Sequence, residues 1–315
     1  QALKSFDYDR LRLYPDPSTI DLRSEVAAYY GLDKEQVFSG NGSDEVLAFA
    51  FQTFFDGKGR EVISPDISYS FYPVYARMYD LNYRRIPLDQ DFRVVVEDYC
   101  QPAKAVILAN PNAPTGTALS LDEIEQIIRA DLHRLVIIDE AYVDFGADSA
   151  VALIDRYDNL LVIQTVSKSR SLAGMRVGFA LGNPKLIEGL ERTRDSINSY
   201  TLDCLAQAAA AASFRAGEWF EKTRQKIIST RERVLVELES MGFVVLPSSA
   251  NFVFASHPEH DASALAASLR AAGVLVRHFK IDRIEQFLRI SIGTDEEMNI
   301  LIDSLAEILD YNKVR

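Results

Sequence analysis

The sequence predicts an α/β fold: a large unit built on a mainly parallel central sheet, followed by a smaller α/β unit. Three observations predict it. Between about residues 60 and 182, short β-branched runs alternate with helical stretches, the pattern of strands joined by crossover helices. Asn112, Asp139 and Lys168 fall at or just past the ends of apolar runs, the edge at which parallel sheets bind ligands. After Leu202 the chain turns helical and then returns to short α/β units, which sets a boundary between a large unit, 1–214, and a small one, 215–315.

The bulk numbers leave room for both units. The chain has 315 residues, 48% of them hydrophobic and 25% charged, enough for a sizeable core. A formal net charge of −12 with no basic run argues against nucleic-acid binding as the main task, so anionic ligands must be held by a few placed arginines and helix N-termini. Two cysteines, Cys100 and Cys204, make a disulfide framework improbable and point to a reducing cytoplasm. Four scattered histidines supply no metal-ligand spacing. No apolar run approaches membrane-spanning length, so no membrane partner is expected. The chain opens at Gln1, and a preceding segment is expected.

In chain order, residues 39–47 (Ser-Gly-Asn-Gly-Ser-Asp-Glu-Val-Leu) put two glycines before an amphipathic helix. Ser43 and Asp44 there are either ordinary caps or part of a phosphate cradle made by free amides and the helix dipole. Strands are expected at 61–64, 83–87, 105–109, 135–139, 160–165 and 176–181, with helices at 69–80 and 121–130. Tyr69, just past the first of these strands, could pack in the core or stack on a flat ring. Residues 110–116 (Asn-Pro-Asn-Ala-Pro-Thr-Gly) form a rigid turn after a strand. In 136–142 (Val-Ile-Ile-Asp-Glu-Ala-Tyr) Asp139 ends an apolar strand, where an unpaired carboxylate is costly; it is expected to meet a cation or a protonated heterocycle.

The most informative stretch is 165–178 (Thr-Val-Ser-Lys-Ser-Arg-Ser-Leu-Ala-Gly-Met-Arg-Val-Gly). Lys168 follows a buried strand, and desolvation there turns a lysine amine into a nucleophile toward carbonyls. Ser167 and Arg176 beside it suit a phosphate. A long helix over 216–241 then links to strands at 243–246, 251–255, 274–277 and 287–292 and helices at 262–272 and 295–309.

In this order and spacing the motifs resemble the fold-type I pyridoxal-phosphate enzymes, in particular the histidinol-phosphate aminotransferase branch of the class I/II aminotransferases. The similarity runs from 14–17 (Tyr-Pro-Asp-Pro) to 288–293 (Leu-Arg-Ile-Ser-Ile-Gly). The resemblance implies that Lys168 holds pyridoxal 5′-phosphate as an aldimine and, once released, moves the proton at the substrate α-carbon. It implies that Asp139 keeps the pyridine nitrogen protonated, that Tyr142 bonds the ring's phenolate oxygen, and that Tyr69 stacks on the ring. Ser43, Asp44, Ser167 and Arg176 would hold the phosphate. Tyr14 would reach the neighbouring subunit's cofactor phosphate in a homodimer; Arg289 would bind the substrate's anionic end. Arg277 would take the substrate phosphate, its alternative being a surface salt bridge. Tyr200 lies where the family has a tyrosine before the long helix.

The family usually has Asn directly before Pro-Thr-Gly, as a donor to the phenolate oxygen; here the position is Ala113, so Asn112 one residue earlier, or Tyr142 alone, would serve. The family's N-terminal arm would lie before Gln1. The expected reaction is amino transfer between L-histidinol phosphate and 2-oxoglutarate in histidine biosynthesis. The alternatives are an aromatic-amino-acid aminotransferase and an L-threonine-phosphate decarboxylase.

Overall fold

A computed structural model of the chain describes residues 2–55, 61–101 and 105–309; Gln1, on which the expectation of a preceding segment rests, lies outside them. Seven strands make the large sheet: β1 (Val37–Gly40), β2 (Glu61–Pro65), β3 (Asn82–Ile86), β4 (Ala105–Ala109), β5 (Leu135–Asp139), β6 (Leu160–Thr165) and β7 (Gly178–Gly182). Their order is β1-β7-β6-β5-β4-β2-β3. From β3 to β6 neighbouring strands are parallel, while β7 runs antiparallel to β6 and β1.

Helices cover both faces, which is why the central strands read as unbroken apolar runs rather than as alternating ones. On one face α1 (Ile20–Tyr30), α5 (Leu121–Arg129) and α7 (Cys204–Arg215) pack over Val106, Leu108, Val136, Ile138 and Val162. On the other, α2 (Ser43–Phe55), α3 (Tyr72–Met78) and α6 (Pro184–Asp195) pack over Ile107, Ile137, Leu161 and Ile163. A single turn, α4 (Val96–Tyr99), precedes β4. Ser120 opens α5 with a capping box closed by Glu123, two amides satisfied reciprocally.

The remaining chain forms an antiparallel sheet in the order β10-β11-β9-β8, from β8 (Val244–Val245), β9 (Phe252–Ser256), β10 (Arg277–His278) and β11 (Phe287–Ser291). It packs on α8 (Gly217–Ser240), α9 (Ala262–Ala271) and α10 (Asp295–Ile308) around Val234, Leu238, Leu269, Leu301 and Leu305. A separate apolar cluster joins the two sheets' surroundings: Ile67, Leu88 and Phe92 meet Phe254 and Ile284.

Several elements differ from expectation, most by a residue or two, and four differences have a local reason. The expected helix at 69–80 starts at Tyr72, because Pro73 fits only a first helical turn, and Tyr69 stays in the preceding loop. The strand expected from 176 starts at Gly178; Arg176 instead caps a short 3-10 turn with φ 52°. The strand expected over 274–277 is confined to Arg277–His278. β1 was not anticipated: its four residues are too few to show a period.

Candidate active site

The carboxyl ends of the parallel strands supply the site. Asp139 ends β5, Lys168 lies three residues past β6, and Ser43 opens α2 beside β7. Backbone pairing continues beyond the strands, with Asn110 N–H donating to the Asp139 carbonyl at 2.8 Å and Glu140 N–H to the Ile163 carbonyl at 2.7 Å. The strand tips are therefore held in register. Ser43, Asp44, Tyr69, Asp139, Tyr142, Ser167, Lys168 and Arg176 together line one cavity of about 110 Å³. Eight residues from separate stretches of the chain thus meet around one cavity.

One end of this cavity is built for an anion. The first amides of an α-helix have no partner within the helix and sit at the positive end of its dipole, so Ser43 and Asp44 present N–H groups there. The approach is close: a Cβ on Gly178 would lie 2.2 Å from the Ser43 nitrogen, and one on Gly42, whose φ is +84°, would lie 2.7 Å from Arg176 Nη2. Only glycine lets strand, helix start and guanidinium come together in this way. Asp44 Oδ2 lies 3.7 Å from Arg176 Nη2, and the Asp44 Oδ1 accepts from the Tyr69 hydroxyl at 2.6 Å. The carboxylate thus ties the arginine to the aromatic wall. Thr165 Oγ1, which donates to the Val177 carbonyl at 3.0 Å and accepts from Ser167 N–H at 3.1 Å, sets the serine's backbone.

The other end carries a buried carboxyl. Asp139 is 5% exposed, and burial pushes it up to about 6; the hydroxyl of Tyr72 (2.7 Å to Oδ2) and the Ala141 N–H (3.3 Å to Oδ1) pull the other way. Tyr72 is fully buried and was missed by sequence reasoning, because a tyrosine in a helical stretch reads as core. The next residue, Glu140, points away from the cavity. Burial pushes it up to about 7 against hydrogen bonds from Ser149 Oγ (2.6 Å), Ala150 N–H (2.6 Å) and Gln164 Nε2 (2.8 Å).

Between these ends Lys168 is half-buried, its Nζ 5.3 Å from the centre of the Tyr142 ring. Tyr142 in turn packs edge-on against Phe252 at 5.1 Å. Asn112 is not brought to this cavity. Its Nδ2 donates to the Ile67 carbonyl (3.0 Å) and Thr115 Oγ1 (2.9 Å), and its Oδ1 accepts from Ser68 (2.8 Å). Asn112 shapes the turn, and Ala113 faces the cavity in its place.

A second cavity of about 580 Å³ shares Tyr69 and Ala113 with the first, and Arg277 and Arg289 both line it. The two arginines are register partners across β10 and β11. Arg289 lies 5.1 Å from the Phe252 ring, and its buried Nε has no hydrogen-bond partner among the described residues. Neither arginine has a carboxylate within ion-pair distance among the described residues, so a salt bridge does not explain Arg277. Tyr14 lies outside both cavities, 82% exposed and stacked on Tyr200 at 4.7 Å.

A family model described as aminotransferase class I and II matches residues 1–305. Histidinol-phosphate aminotransferase 1 of Pseudomonas fluorescens is 56% identical over 300 residues, covering 95% of this chain and 85% of the relative. The histidinol-phosphate aminotransferase of Pseudomonas syringae pv. syringae is 54% identical, over 98% and 87% of the two chains. Among solved structures, the Sinorhizobium meliloti histidinol-phosphate aminotransferase in complex with pyridoxal 5′-phosphate superposes with a TM-score of 0.87 at 24% identity, covering 98% of this chain and 86% of the other; that likeness speaks for the fold.

Proposed function

The chain belongs to the class I and II aminotransferases, and from that premise we propose that it transfers the amino group of L-histidinol phosphate to 2-oxoglutarate, a step of histidine biosynthesis. Pyridoxal 5′-phosphate fits the donor set: an anion cradle that a Cβ would fill, an amine at mid-cavity, and a buried carboxyl suited to a protonated ring nitrogen. When bound, the cofactor supplies a carbonyl for the amine and a ring that takes up the electrons left at the substrate α-carbon. Ser43, Asp44, Ser167 and Arg176 would hold its phosphate, and Tyr69 would cover one face of the ring. Asp139 would keep the proton on the ring nitrogen, and Tyr142 would bond the phenolate oxygen. Lys168 Nζ, the amine at mid-cavity, would anchor the cofactor and serve as the base at the substrate α-carbon.

The observation that carries the substrate assignment is the Arg277–Arg289 pair across β10 and β11, lining a cavity that opens onto the cradle at Tyr69 and Ala113. Two guanidinium groups without carboxylate partners suit the phosphate of one substrate and the distal carboxylate of the other. The large unit, 1–214, then carries the cofactor and the small unit, 215–315, the substrate arginines. We place the enzyme in the cytoplasm, as its cysteine usage suggests, and as a homodimer in which Tyr14 completes the partner's phosphate site; the 82% exposure of this tyrosine on one chain supports that reading.

The test is a single-turnover comparison. Cofactor-loaded protein is mixed separately with L-histidinol phosphate, L-phenylalanine and L-threonine phosphate, and cofactor absorbance is followed. Rapid conversion to the amine form with histidinol phosphate alone is expected. Preference for phenylalanine, or release of carbon dioxide from threonine phosphate, would replace the assignment.

A further inference from the structure

The segment joining β10 to β11 connects the two strands that bear Arg277 and Arg289, and it crosses to the rim of the large sheet. At its centre Arg283 holds a left-handed backbone, φ +70°, a conformation seldom taken by a residue with a side chain. Its guanidinium makes three bonds to large-sheet connections: Nη1 to Asp66 Oδ2 at 2.9 Å, and Nη2 to the Leu88 and Asp89 carbonyls at 2.9 and 2.8 Å. It also lies 5.4 Å from the Phe92 ring. Asp66 is itself fixed, its Oδ1 accepting from Ile67 N–H at 2.9 Å and Leu88 N–H at 3.0 Å. On either side of Arg283, Ile281 and Ile284 line the substrate cavity, and Ile284 is 1% exposed.

We propose that Arg283 is a positioning residue for anion recognition: by pinning the β10–β11 connection to Asp66, Leu88 and Asp89, it sets Arg277 and Arg289 at a fixed distance from the cofactor cradle. This rests on the reading of those two arginines given above. The bonds are made by a planar, forked group that reaches one carboxylate and two carbonyls at once. A lysine can keep the charge opposite Asp66 but cannot span all three acceptors. Arg283 touches neither cavity, so its loss moves the substrate arginines without altering the cradle.

The experiment uses cofactor-loaded full chain and three single variants, Arg283→Ala, Arg283→Lys and Asp66→Asn, together with the Arg283→Ala/Asp66→Asn double variant. KM for L-histidinol phosphate should rise roughly 10- to 100-fold in Arg283→Ala with kcat changed much less, the signature of lost binding common to ground and transition states. Asp66→Asn should raise KM in the same direction, and adding it to Arg283→Ala should bring little further loss, because the two share one contact. Arg283→Lys should recover part of the effect. Cofactor affinity should stay at the wild-type value in all three. Binding of glutarate, a dicarboxylate without amine or ketone, is measured in parallel by calorimetry. Should wild type ignore histidinol phosphate while Arg283→Ala still weakens glutarate binding, the substrate assignment falls and the positioning role stands. Unchanged glutarate binding and KM across the variants, or a loss confined to kcat and cofactor affinity, would overturn the proposal.

Discussion

Asp139 and Tyr72, joined by a hydrogen bond, are the pair on which the proposed ring-nitrogen chemistry rests. A carboxyl pushed to about 6 by burial is mostly ionised at neutrality but loses its charge just below it, and the Tyr72 hydrogen bond is the strongest of the contacts opposing that rise. Tyr72→Phe should therefore raise the Asp139 pKa further and shift the acidic limb of kcat to higher pH. A fall in kcat of roughly tenfold is expected, read together with the nitrogen-15 shift of the bound ring; a profile superimposable on wild type would show that the hydroxyl only packs. The sign of the stability effect follows from the same burial. Asp139 and Glu140 both hold protons more tightly folded than unfolded, so between about pH 4 and pH 7 the folded state binds more protons and stability falls as pH rises. The depressed carboxyls Glu221, Asp261 and Asp295 act at lower pH, and Glu45, which burial also raises, adds to the buried pair in the same direction. The ligand-free protein should melt lower at pH 7.5 than at pH 5.5, and a rise would contradict the assignment.

At the scale of elements, the site depends on how closely β7 meets the start of α2. Gly178→Ala puts a methyl 2.2 Å from the Ser43 nitrogen, so helix or strand must move. A stability loss of about 1–3 kcal/mol is expected from such overpacking, with weakened cofactor binding. Unaltered melting and cofactor affinity would mean the cradle is looser than described. The element scale also shows what was legible in the sequence. β4, β5 and β6 could be read because strands buried on both faces are continuous apolar runs, and a polar residue ending such a run stands out, as Asp139 does. Lys168 and Arg176 were legible for the same reason, since both border a buried strand. Tyr72 was not, because a tyrosine on an amphipathic helix looks like core until its hydroxyl finds a partner. The side-by-side setting of Arg277 and Arg289 was equally hidden: β10 is two residues long, and register between short strands is decided by tertiary packing. Asn112 was one of two residues expected to serve the ring's phenolate oxygen, but its amide nitrogen is engaged by the Ile67 carbonyl and by Thr115 in its own turn.

On the reading proposed above, two sheets of different kind serve one reaction, the mainly parallel one carrying the cofactor residues and the antiparallel one the substrate arginines. The apolar cluster of Ile67, Leu88, Phe92, Phe254 and Ile284 keeps them adjacent. If Tyr14 acts in the partner's site, two inactive variants should complement each other. Mixed dimers of Tyr14→Ala and Lys168→Ala contain one site with Lys168 from one chain and Tyr14 from the other, so refolding an equal mixture should restore roughly a quarter of wild-type activity. No recovery would place Tyr14 in its own chain's site or outside the reaction. The central claim is that the polar ends of β5 and β6 and the start of α2 enclose a cofactor covalently held by one lysine. Its most direct test is to load the protein with pyridoxal 5′-phosphate, reduce it with borohydride, digest it and locate the label by mass spectrometry. The account predicts a single pyridoxyl group on Lys168 and none on the Lys168→Ala protein; label spread over surface lysines, or persisting in that variant, would contradict it.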